Sequence, residues 1–195
     1  MNQAGTPKRG RADAERSTAR ILEAAQTVLA VDPNASLERI ADAAGLARAT
    51  VHRRFSSRKA LHNALVVHIN DRYLQAMAQA RIATAPPLVA LHRLAELVFE
   101  LKVSHRFAVE VASDNHRPLL SGEVGDGIDL LFDRLREAGA ITAEDPAWCR
   151  QLLLSVLHAI DQLPADSPAL AGTNADPAAA RADLLVSTVT RALGT

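Results

Sequence analysis

The sequence predicts an all-α fold, and three observations carry that prediction. Alanine and leucine are abundant and 48% of the residues are hydrophobic, which favours helix and supplies enough apolar surface for a core. Apolar residues recur at spacings of three and four, whereas runs that alternate every second residue are almost missing. Start and stop residues punctuate the chain, with Asp-Pro at 145–146 and 176–177 and glycines at 45, 139 and 194. About nine helices are expected, three of them in an N-terminal unit.

Residues 1–15 place Gly5, Pro7 and Gly10 around Lys8, Arg9 and Arg11, the composition of a flexible basic arm. Such an arm can reach a neighbouring minor groove or act only as a solubilising tail. The first helix follows in ARILEAAQTVLA, and the stretch 36–61, SLERIADAAGLARATVHRRFSSRKAL, then reads as two short helices joined at Gly45. Leu37, Ile40, Ala41 and Ala44 share one stripe of the first. Ser36 is placed to cap it, and Gly45 supplies the left-handed backbone that ends it.

The second short helix, about Ala47 to Arg53, is expected to bury Leu46, Val51 and Phe55 while presenting Arg48, Thr50, His52 and Arg53 around its other sides. A rod of this kind fits a major groove, which is about 12 Å wide. Arginine there forks onto guanine O6 and N7, and threonine meets a thymine methyl or a phosphate. Ser56 or Ser57 caps the next helix, whose opening residues Arg58 and Lys59 stand beside free backbone N–H groups, a place suited to a phosphate. A basic helical hairpin with a purely structural role is the bland alternative. Cap, turn, polar set and downstream basic pair all agree on a reader of duplex DNA.

Thr18–Ala60 resembles the N-terminal domain of the TetR family of bacterial transcriptional regulators. The likeness assigns ARILEAAQTVLA to its first helix, SLERIADAAG to its second and LARATVHRRFSSRKAL to the recognition helix and the start of the fourth. It implies backbone contacts from Thr50 and from the residue two places on, and a phosphate grip by Arg58. The chain departs from the family pattern at His52 in place of tyrosine, Arg54 in place of histidine, Ala49 in place of glycine and Ala47 in place of a serine cap. The DNA-contacting set is then Ser36, Arg48, Ala49, Thr50, His52, Arg53, Arg54, Arg58 and Lys59, within a domain of residues 16–62.

Residues 63–195 are expected to form a helical regulatory and dimerisation domain. A long helix, about 57–82, ends before Pro86 and Pro87; others span about 87–104, 107–113, 122–138, 146–162 and 177–193. The last two carry more apolar residues than one neighbour needs, so Leu153, Val156, Leu157, Ile160, Leu185 and Val189 are expected at a four-helix homodimer interface, as the family likeness also implies. That likeness places an effector cavity within the same domain. Candidate lining residues are Phe99, Phe107, Phe132 and Trp148 for apolar contact and His105, His116 and His158 for orientation, around a small neutral or acidic lipophile.

Charge and composition narrow the function. The formal net charge is zero, yet residues 1–60 hold eleven Lys/Arg against six Asp/Glu and the remainder eleven against sixteen. A basic end on an acidic body confines attraction for DNA to one part of the molecule. The single cysteine, Cys149, cannot form an internal disulfide and is expected to be packed. No long apolar run suggests a membrane span, and a cytoplasmic protein is expected.

Catalytic and metal motifs are weak. His92, Glu96 and Glu100 share a helical stripe opposite the apolar face, Gly122, Gly125 and Gly127 follow no strand, and no G-x-S-x-G elbow occurs. No cofactor is expected. The leading expectation is a dimeric, effector-released repressor on a near-palindromic operator. The alternatives are a DNA-binding regulator without small-molecule input and, further off, a helical enzyme or carrier.

Overall fold

Capping chemistry sets where several helices of this protein begin. The computed structural model describes residues 7–104, 120–170 and 176–194, with side chains from residue 12 to 103 in the first span. Those residues hold eight α-helices, one short 3-10 turn and no strand. The chain divides into two units, and helix α4 contributes its first part to one and its remainder to the other.

The first unit contains α1 (Pro7–Val31), α2 (Leu37–Ala44), α3 (Arg48–Arg54) and α4 (Arg58–Ala80) as far as Ile69. Ile21, Leu22, Ala25 and Leu29 form the buried stripe of α1, and α1 packs on α2 as α2 packs on α3. The flexible arm expected over residues 1–15 is corrected in part. Residues 7–15 are the opening turns of α1, because good helix formers after Pro7 continue the pattern; residues 1–6 lie outside the described residues.

Asn70–Ser104 and the described residues from Leu120 onward form the second unit. Its helices are α5 (Pro87–Ser104), α6 (Gly122–Glu137), α7 (Pro146–Asp161) and α8 (Pro177–Leu193), with the 3-10 turn at Pro168–Leu170. Asp145 accepts from the N–H groups of Ala147 and Trp148 at 2.9 and 3.3 Å, Asp176 from Ala178 at 2.9 Å, and proline fills the first position of both helices. Gly139, at φ 69°, provides the left-handed turn after α6.

Helix α8 packs on both α5 and α7, while α6 packs on α5 and α7. Phe99, Leu131, Phe132, Leu135 and Leu185 fill the core between them. The Lys102 ammonium, 9% exposed, meets Asp161 at 2.9 Å. Burial, assisted by the Asp161 carboxylate, pushes the Tyr73 phenol up to about 12. Cys149 is a buried free thiol whose ionisation burial also opposes.

The helix expected over 107–113 lies outside the described residues. Four of the residues expected at a dimer interface are buried within the single chain. Leu153, Ile160, Leu185 and Val189 are at most 5% exposed, because the stripe that looked surplus is taken up by neighbouring helices of the same unit. Val156 and Leu157 stay half-buried, as do Leu152, Leu184 and Val186.

Candidate nucleic-acid interface

Ser36 accepts the Arg39 N–H at 3.2 Å and starts α2. At the other end Gly45 sits at φ 61°, its N–H reaching the Asp42 carbonyl at 3.1 Å while the Leu46 N–H reaches the Ala41 carbonyl at 3.0 Å. This pairing is a Schellman turn, and it satisfies the last carbonyls of α2. Arg20 of α1 adds a second lock by donating to the Ala44 carbonyl at 2.7 Å. Its role was hidden in the sequence, where the only signal is a cation flanking the apolar stripe of α1.

Helix α3 is anchored by Val51, at 0% exposure, and by Phe55 just beyond it. Leu46, expected to be buried, is only half-buried because it lies in the turn. Arg48, Ala49, His52, Arg53 and Arg54 face solvent, and Thr50 is half-buried. Ala47 begins the helix without a side-chain cap, consistent with a residue type that has no acceptor. Ser57 begins α4 by accepting the Ala60 N–H at 3.2 Å, and Lys59 extends outward.

Two basic residues have partners that the sequence did not reveal. The Arg58 guanidinium donates to the Ala35 carbonyl at 3.0 Å and to the Pro33 carbonyl, so it clasps the α1–α2 loop. The resemblance gave Arg58 a phosphate to grip; in the structure its guanidinium is engaged by these two carbonyls. Shape explains the fit: a guanidinium fork can satisfy two loop carbonyls at once, which a point-charged ammonium does less well. His52 Nε2 lies 2.9 Å from Glu38 Oε1. The Glu38 carboxyl is held at about 2, chiefly by a backbone N–H, with the His52 and Ser36 side chains adding to it.

Of the expected effector-lining residues that are described, Phe99 and Phe132 share the core at 2% exposure, while Trp148, 53% exposed, and His158 lie at the surface. His105, Phe107 and His116 lie outside the described residues. A cavity of about 160 Å³ in the second unit is instead lined by Arg72, Gln75, Ala76, Gln79, Leu97, Glu100 and Leu101. An apolar groove of about 340 Å³ lies along Leu74, Met77, Ile82 and Gly127. His92, expected on a solvated face, reaches Asp183 at 2.7 Å. Among the described residues no His, Cys, Asp and Glu group is arranged for a metal, and no helix is long and apolar enough to cross a membrane.

A short solvent-facing basic helix, set by a Schellman turn against a capped partner, defines a helix-turn-helix protein. Residues 21–65 match the family described as bacterial regulatory proteins, tetR family. The HTH-type transcriptional repressor LfrR of Mycolicibacterium smegmatis is 33% identical over 146 residues, covering 74% of this chain and 77% of that protein. A solved structure of LfrR from Mycobacterium smegmatis in complex with proflavine aligns with a TM-score of 0.65 at 27% identity, over 92% of this chain and 98% of that one. The regulator PfmR from Thermus thermophilus shares the fold at 19% identity and a TM-score of 0.66, over 88% and 97% of the two chains. The chain belongs to the TetR family. It is a transcription regulator and not an enzyme.

Proposed function

We propose that this protein is a cytoplasmic, dimeric repressor that binds a near-palindromic operator and is released by a small-molecule effector. The exposed basic face of α3, with Arg48, Arg53 and Arg54 presented and Val51 buried behind them, is the observation that carries the reading. Two such helices related by a two-fold axis meet successive major grooves about 34–36 Å apart. Half-sites at that spacing, or a multiple of it, are the expected operator. Dimerisation is assigned to the half-buried flanks of α7 and α8, including Val156, Leu157 and Leu184.

For the effector, the cavity walled by Arg72, Gln75 and Glu100 with Leu97 and Leu101 combines polar orienting groups with apolar contact. The LfrR complex with proflavine supports a small-molecule input of this general kind. Selection of bound duplexes from a random pool tests the reading. A palindromic consensus is expected, with Arg48→Ala weakening binding by about 1–3 kcal/mol if Arg48 reads a base. Proflavine serves as the first effector probe in the same assay. Failure to enrich any duplex would overturn DNA reading; enrichment unaffected by a metabolite panel would favour a regulator controlled by a protein partner or by abundance.

A further inference from the structure

Two acidic side chains of α2 stand against the basic ladder of α3. Glu38 and Asp42 are four residues apart on one stripe of α2, and Arg48 and His52 are four apart on α3. They pair rung by rung, with Glu38 Oε1 2.9 Å from His52 Nε2 and Asp42 Oδ2 3.7 Å from Arg48 Nη2. Neither helix gains from the second rung as placed. Asp42 lies in the last turn of α2, at the negative end of its dipole, and Arg48 opens α3 at the positive end. Helix stability alone would exchange those two charges. Their side chains are 67% and 65% exposed, so the pairing is loose and water competes for it.

We propose that Glu38 and Asp42 are specificity-determining residues of the reader, holding His52 and Arg48 in a paired resting arrangement that a matching base edge displaces and a bare phosphate backbone does not. The proposal rests on α3 being the groove-entering helix. Against any duplex the two carboxylates oppose the phosphates and subtract from sequence-independent attraction. At a matching site Arg48 exchanges one loose contact for a two-point fork onto guanine. Discrimination is the difference between these two outcomes. Glu38 is anionic throughout the neutral range, as an ordinary glutamate is, and its backbone, His52 and Ser36 hydrogen bonds favour the carboxylate further.

The test measures the full-length protein against its selected operator and an unrelated duplex of equal length across a salt series. Asp42→Asn is expected to tighten unrelated-duplex binding by about threefold or more, to steepen the salt slope by about 0.9, and to lower the operator preference. Glu38→Gln moves the preference in the same direction, and Asp42→Glu restores it. A merely structural role would weaken both duplexes together with slope and preference unchanged; that result, or unaltered binding, overturns the proposal. If the native protein itself binds no duplex, the DNA-reader reading has failed and the proposal falls with it, a pattern distinct from failure in the variants alone.

Discussion

Tyr73 is the chain's single tyrosine, 7% exposed, and its phenol is pushed up to about 12 from an ordinary 10 by burial and by Asp161. The folded state therefore holds this proton more tightly than the unfolded chain. Its contribution to stability is fully present below pH 10 and is lost as pH rises toward 12. Phenolate absorbance should follow a delayed titration in native protein and an ordinary one in urea; identical curves would contradict the burial. The exposed face of α3 was legible because its arginines flank the buried Val51 on a short helix set by a glycine turn. Partner choice was not readable: Arg58 meets carbonyls some twenty-five positions away, and His52 meets Glu38 across a turn.

Among the elements, the α2–α3 turn carries the reader's geometry. Gly45 at φ 61° occupies backbone that a β-carbon disfavours, and an added Cβ would lie 3.1 Å from Arg20 Nη2. Gly45→Ala should lower unfolding stability by about 1 kcal/mol, measured as a urea midpoint shift, and weaken operator binding as α3 loses its angle. An unshifted midpoint would show that the turn tolerates strain. Boundaries of this kind were legible wherever the capping group is local, as with Ser36, Asp145 and Asp176. Residues 7–15 depart from expectation because scattered glycine and proline resemble a loop when the helix that extends through them is not yet known.

At the scale of the whole molecule, the half-buried flanks of α7 and α8 mark the surface assigned to a second copy. Light scattering at micromolar concentration should give twice the chain's mass; a monomer would remove the two-fold operator geometry. Excess apolar content was a fair signal for burial but not for what covers it. Leu153, Ile160, Leu185 and Val189 are satisfied inside one chain, since α7 packs on α6 and α8, and α8 on α5 and α7. The cavity was the least legible feature, because aromatic residues serve the core before they line open space. Phe99 and Phe132 do so here, and the polar wall of Arg72, Gln75 and Glu100 belongs to helices whose juxtaposition no local pattern records.

Local chemistry by itself determined the helical class, the caps and turns, and the basic helix-turn-helix, because hydrogen bonds within a few residues and a 3.6-residue period are written directly into residue order. Only the tertiary structure decided which cations are committed to carbonyls or carboxylates, which leucines belong to the core and where a cavity remains. Those outcomes depend on groups distant in the chain competing for the same partners, and that competition is resolved only when the helices pack.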